Sequence, residues 1–133
     1  LVPAIKRFIS EFEKTNSIPV EFRFIGGQRR YASAIEVAVF RIIQEALNNV
    51  AKHSQASMVK VILETHCNSI GAVIRDDGIG FLTDIEHGEN SFGIQGMKER
   101  ITLLNGKIDI NSAPGQGTEL YFQIPVEEEE DFL

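Results

Sequence analysis

The 133-residue sequence predicts a two-layer α/β sandwich, with helices packed on one face of a sheet, and three observations carry that reading. Apolar residues recur at helical spacing over residues 3–15, 33–53 and 94–104. They alternate with a period of two, as strands do, over 18–24, 58–65, 69–76, 107–112 and 118–125. The alternation is one-sided. In TELYFQI, Leu120, Phe122 and Ile124 share one face while Glu119, Tyr121 and Gln123 share the other, as in a sheet covered on one side only.

Taken in order, LVPAIKRFISEFEK sets Leu1, Ile5, Phe8, Ile9 and Phe12 on one stripe of an amphipathic helix. IPVEFRF reads as a strand, ended by Gly26–Gly27. A long helix is expected from Ser33, read as its N-cap with Glu36 three residues on, to about His53. MVKVILET and SIGAVIRD are strands joined by the turn HCNS. Residues 81–92, FLTDIEHGENSF, lack periodicity and read as a mobile loop. The next helix should stop at Asn105–Gly106 by a glycine C-terminus. KIDINS and TELYFQIP then close a hairpin around APGQG.

One domain is expected, over residues 1–126, followed by an acidic and disordered tail over 127–133. The net charge of −6 comes mostly from that tail: EEEED supplies five of the 19 acids, leaving 14 against 13 bases elsewhere. No basic stripe argues for nucleic acid, and no apolar run is long enough to span a bilayer, so neither nucleic acid nor direct membrane contact is expected. Cys67 is the one cysteine, which excludes an internal disulfide and suits a reducing compartment. The opening LVPAIKRF has no initiator Met, so the chain is expected to be a piece of a longer protein.

The long helix carries the first chemical signal. Ile35, Val39, Ile42, Ile43, Ala46, Leu47 and Val50 form an apolar arc, with Glu45, Asn49 and Lys52 on a second arc beside it. An amide oxygen can ligate Mg²⁺ without adding charge, and a carboxylate one turn away can hold a metal-bound water or polarise a nucleophile. On spacing alone, a solvated helix face with i,i+4 pairs explains the pattern as well. Three glycine-bearing stretches accompany it: RDDGIGF, SFGIQGMKER and APGQGTEL. Each alone reads as a turn, but together they expose much backbone to a ligand. No P-loop is present, and GIQG lacks the three-glycine spacing of a dinucleotide fold.

Together these four stretches are specific. QEALNNVAKHS resembles the N box of sensor histidine kinases, DDGIGF their first glycine box, FGIQGMKER their second, and PGQGTELYFQIP their closing G-T strand. Residues 1–125 are similar to the ATP-binding catalytic domain of that family, in the subfamily of nitrate, degradative-enzyme and lipid-desaturase sensors (the NarX, DegS and DesK kind). The resemblance implies the Bergerat ATP-binding fold, a mixed sheet with helices on one face, and ATP with Mg²⁺ as ligands. It implies Asn49 as the Mg²⁺ ligand and Glu45 as the catalytic acidic helper, with Lys52 and His53 near the phosphates. Asp76 would accept the adenine amino group, Gly78 and Gly80 would open space for the ring, and Gly93 and Gly96 would offer amides to phosphate. Thr118 would support the adenine site, residues 82–92 would form the lid, and Asp77 would be structural.

The same resemblance implies a phosphoacceptor histidine in a dimerisation domain that this chain lacks, a response regulator of the LuxR/NarL type, and a cytoplasmic location. His53 at the end of its helix reads equally as a dipole partner, and His66 and His87 read as incidental loop residues. Two rival readings remain: a serine kinase of anti-sigma type, built on the same fold, and a nucleotide-sensing interaction module without turnover. GIQGMKER speaks against the first, and the presence of Glu45, Asn49 and Asp76 against the second.

Overall fold

The computed structural model describes residues 1–80 and 93–127; the expected lid and the acidic tail beyond Glu127 lie outside them. Among the described residues, β1 (Val20–Ile25), β2 (Val59–His66), β3 (Ser69–Asp76), β4 (Lys107–Ser112) and β5 (Thr118–Pro125) form one sheet in the order β1-β2-β3-β5-β4. β1 and β2 run parallel and the other neighbours antiparallel, so the sheet is mixed. Parallel neighbours need a crossover, which α2 (Ser33–Asn49) provides. With α1 (Val2–Asn16) and α3 (Ile94–Leu103) it covers the apolar side of the sheet in a single core.

The register sorts the sheet into rows. Phe24, Leu63, Ala72, Phe122 and Ile108 lie side by side on the helix-facing side, and Phe22, Val61, Ile74, Leu120 and Ile110 form the next row. α2 lays Val39, Ile42, Ile43, Ala46 and Leu47 on these rows, all buried, and α1 adds Ile5, Ile9 and Phe12. Each such large side chain contributes about 1.5–3 kcal/mol on burial, which is what fixes the two layers together. Phe8 of α1 meets Phe40 of α2 edge-on, with centroids 5.9 Å apart. The opposite side of the sheet carries cross-strand charge pairs, Lys60–Glu21 at 3.4 Å and Arg75–Glu119 at 3.0 Å, as a solvated face should.

Three local expectations need correction. Ser33 is not the N-cap of α2: that place belongs to Ala32, which makes no side-chain cap. Glu36 does reach back over the helix start, but it accepts the N–H of Tyr31, the residue before the N-cap, at 3.1 Å and pairs with Arg30 at 3.4 Å, so no capping box forms. The long helix does not continue as an α-helix to His53. It widens after Asn49 into a single π-turn, Val50–Ser54. Finally, α3 ends on a left-handed Asn105 rather than a left-handed glycine, with Asn105 N–H bonded to Thr102 and Gly106 N–H to Ile101, both at 3.0 Å. That is a Schellman arrangement in which asparagine tolerates the left-handed conformation.

Candidate functional site

The next row of the sheet breaks the apolar pattern. Val20 and Val59 continue it, but their neighbours across the sheet are Asp76, Thr118 and Ser112. These polar side chains stand at the end of the core, beside a cleft of about 480 Å³ that is partly open to solvent. Its walls are mostly apolar: Ala46 and Val50 from the end of α2 and the π-turn, Ile94 and Met97 from α3, and Ile74, Ile110 and Leu120 from the sheet. An apolar slot with a few polar groups at its end is the usual form of a small-molecule site, and a flat ring system matches it.

Asp76 is the most unusual group there, a carboxylate only 9% exposed at the end of β3. Burial is the main influence on its acidity and raises its pKa above the ordinary 3.8, with the Asp77 charge pushing the same way. The backbone N–H groups of Gly78 and Thr118 oppose that shift, the Gly78 bond measuring 2.8 Å. Its neighbour behaves in the opposite way. Asp77 turns outward and accepts from the Ser57 hydroxyl, the Ser57 N–H at 2.8 Å and the Met58 N–H at 3.2 Å. Those bonds, the hydroxyl first, hold its carboxyl below the usual range. Asp77 thus ties the loop before β2 to the loop after β3, and Asp76 is left facing the cleft.

The loop after β3 is also stitched to the β4–β5 turn. Gly80 has φ 69°, and a Cβ there would lie 2.1 Å from the Ala113 carbonyl oxygen. Only glycine permits that approach. Beside it, the Gly115 N–H donates to the Ile79 carbonyl at 2.5 Å. DDGIG and PGQGT, far apart in the chain, are therefore one physical wall.

Asn49, the last residue of α2, lines the cleft together with His53, Asp76, Gly80 and Thr118. Lys52 does not: it is exposed, and His53 takes the place on the cleft. His53 is i+4 from Asn49 and i+7 from Ala46, so it continues the face of the helix that brings Ala46, Asn49 and Val50 to the cleft. Glu45 stands against the start of α3, where a Cβ on Gly93 would lie 2.4 Å from Oε1, so the two segments are in close contact. Gly93 is the N-cap of α3, while Gly96 is exposed in its first turn with open space around it. Gly78 contributes its N–H to Asp76 rather than a wall of the cleft. Asn48, beside Asn49, is half-buried and does not line the cleft.

Sequence reasoning passed over the apolar lining from α3 and one polar residue, Ser112. Its signal was present, because Ile108 and Ile110 alternate towards Ser112, placing it on the core face of β4. As for metal chemistry, no group of three or more His, Cys, Asp or Glu is gathered among the described residues. One amide oxygen and one carboxylate a helical turn apart is a donor set too small for a closed protein cage. It does fit Mg²⁺ held largely by phosphate oxygens and water.

Residues 34–128 match the family model of the histidine kinase-, DNA gyrase B- and HSP90-like ATPases. The chain is 41% identical over 130 residues to the signal transduction histidine-protein kinase/phosphatase DegS of Brevibacillus brevis, covering 98% of this chain and 33% of that protein. It is 33% identical over 123 residues to the oxygen sensor histidine kinase NreB of Staphylococcus carnosus, covering 92% and 35%. The chain thus spans about a third of the length of these curated relatives. Among solved structures, the histidine kinase domain of the blue-light activated kinase of Erythrobacter litoralis superposes with a TM-score of 0.71 at 16% identity, over 92% of this chain and 59% of that one. The mycobacterial sensor histidine kinase MprB does so with a TM-score of 0.68 at 18% identity, over 96% and 97%. At that identity they speak for the fold, which is the mixed sheet with helices on one face described above. The chain belongs to the histidine kinase-, DNA gyrase B- and HSP90-like ATPase family, and within it to the ATP-binding catalytic domains of DegS-like sensor histidine kinases.

Proposed function

We propose that this chain binds ATP with Mg²⁺ and presents the γ-phosphoryl group to a histidine in a dimerisation domain outside it, for relay in the cytoplasm to a response regulator of the LuxR/NarL type. Residues 1–126 act as the catalytic unit. The observation that carries the reading is Asp76, a buried carboxylate at the polar end of an apolar slot. Ionised, it accepts hydrogen bonds and donates none, which suits the exocyclic amino group of adenine. The purine ring lies between the aliphatic walls from α2, α3 and the sheet, with Gly80 leaving room beside it and Thr118 supporting its polar edge.

The phosphates leave the slot towards the end of α2. Asn49 offers an amide oxygen there for the metal, and Lys52 and His53 lie on the π-turn beyond it. Asn49 would help hold Mg²⁺ there, and the bound ion would supply neutralisation of phosphate charge. Glu45, against the start of α3, would hold a water or the acceptor imidazole, and the N–H groups near Gly93 and Gly96 would favour phosphate through the helix dipole. The phosphoacceptor histidine is expected outside this chain. His66 ends β2, whose eight residues start beside Asp76, so it sits roughly 23 Å away at about 3.3 Å per residue.

Two measurements on one preparation test this. Titration should give ATP at least about tenfold tighter than GTP, because the guanine carbonyl would face the Asp76 carboxylate and leave both acceptors unmet. Asp76→Ala should weaken ATP sharply and shrink that ratio, whereas Asp77→Ala should change it little. Incubation with γ-labelled ATP should leave the chain unlabelled until a separate phosphoacceptor domain is added. Acid-labile phosphate on His53, His66 or His87 would overturn the proposal, as would equal affinity for the two nucleotides.

A further inference from the structure

The row Asp76–Thr118–Ser112 contains a hydroxyl pair whose direction can be worked out. Ser112 Oγ lies 2.8 Å from Thr118 Oγ1 and donates to the Gly117 carbonyl oxygen at 3.1 Å. A serine hydroxyl has one proton, and a carbonyl oxygen can only accept. With the Ser112 proton on Gly117, the 2.8 Å contact requires Thr118 to be the donor and Ser112 Oγ the acceptor. The Thr118 proton then points along the row towards β4, away from Asp76. What Thr118 turns to the cleft is a lone pair.

We propose that Ser112 is a positioning residue for base selection, taking the Thr118 proton so that the cleft presents two acceptors, Thr118 Oγ1 and the Asp76 carboxylate, to the ligand. This rests on the reading of the cleft as an adenine site. A 6-amino group has two N–H donors and can satisfy both acceptors, directly or through a water. A 6-oxopurine carries a carbonyl there and satisfies neither. Without the Ser112 hydroxyl the Thr118 rotor is released. Its proton can swing into the cleft and donate to a carbonyl, so discrimination against 6-oxo bases weakens from the far side of β5, by a residue that does not line the slot.

The probes are ATP and inosine triphosphate, which differ in the 6-substituent and in the N1 proton that the 6-oxo form carries, titrated against the 133-residue chain and its Ser112→Ala, Ser112→Cys and Ser112→Thr variants. The wild type should prefer ATP. Ser112→Ala should lower the ATP/ITP ratio about three- to tenfold, mostly by tightening ITP, the size of one hydrogen bond gained or lost. Ser112→Thr keeps a hydroxyl and should keep the ratio. Ser112→Cys, close in size with a weak acceptor, should fall between and serves if the alanine variant does not fold. A Ser112→Ala protein, or the cysteine variant in its place, that loses ATP and ITP affinity by the same factor would make Ser112 a packing residue and overturn the inference. So would an unchanged ratio. A wild-type chain without preference for ATP would remove the adenine reading itself, a result separable from either.

Discussion

Gly80 and Gly115 form a natural pair for testing how the wall of the cleft is held together. Both have left-handed backbones, φ 69° and 79°, and both belong to the contact between the loop after β3 and the β4–β5 turn. They differ in what surrounds them. A Cβ at Gly115 meets nothing within 4 Å, so Gly115→Ala incurs only the left-handed strain of an L-residue, roughly 1–2 kcal/mol. A Cβ at Gly80 would lie 2.1 Å from the Ala113 oxygen and 2.9 Å from that of Gly117. A carbon–oxygen contact needs about 3.3 Å, so the Ala113 carbonyl must retreat by more than about 1 Å. That movement pulls on the Gly115–Ile79 hydrogen bond and adds its loss, about 1 kcal/mol, to the strain.

Gly80→Ala should therefore cost about 2–3 kcal/mol, and Gly115→Ala about 1–2 kcal/mol. At this size each kcal/mol is worth about 3–5 °C in Tm, so thermal melts should separate the two variants clearly. Urea unfolding with an unchanged slope would confirm that both remain two-state. Because the displaced turn leads into Thr118, Gly80→Ala should also weaken ATP by at least about tenfold, and Gly115→Ala by less than about threefold. Equal destabilisation by the two alanines would refute the idea that close approach, rather than backbone conformation, makes Gly80 necessary.

Asn49→Ala should abolish most of the Mg²⁺ dependence of ATP binding while the chain stays folded, since it removes an oxygen donor at the edge of the apolar arc. Asn48→Ala, outside the cleft lining, is the control, and titrations with and without Mg²⁺ distinguish them. ATP affinity should be flat at neutral pH and fall on acidification through the raised pKa of Asp76, beginning above the range of an ordinary carboxyl, because the protonated form no longer accepts fully. For the empty fold the sign reverses. The unfolded carboxyl, near 3.8, ionises first, so stability declines as pH rises from there through the folded value, and urea midpoints of wild type and Asp76→Asn across that window read the difference.

The parts of the molecule legible in the sequence are those set by period. The one-sided alternation of β5 and the apolar arc of α2 each specify a face, and burial of Leu120, Phe122, Ile124, Val39, Ile43 and Leu47 follows from it. Departures from period were not legible. Period alone did not show that α2 widens into a π-turn over Val50–Ser54, nor that of Lys52 and His53 only the second lines the cleft. Ser112 was hidden differently. Its place depends on the pairing of β4 with β5, and only the register sets a serine on one side of Thr118 and an aspartate on the other.

That row also shows how the site and the fold oppose each other. Five strands end on one side of the core, and in two of them valine carries the apolar pattern to the last paired position. Had Asp76, Thr118 and Ser112 been aliphatic as well, the cleft end would have closed over with better packing and no buried charge. Two backbone N–H groups offset part of the burial of Asp76, but its raised pKa shows that they do not cancel it. A ligand that brings its own N–H donor supplies the missing partner. The unfavourable term in the empty domain is thus the favourable term in the complex, and a base with an acceptor at that position leaves it unrelieved. Affinity for an amino-bearing ring and discrimination against its oxo counterpart follow from the same buried carboxylate. The rest of the core, with its continuous rows of Ile, Leu, Val and Phe, provides the stability that allows one such carboxylate to stay buried.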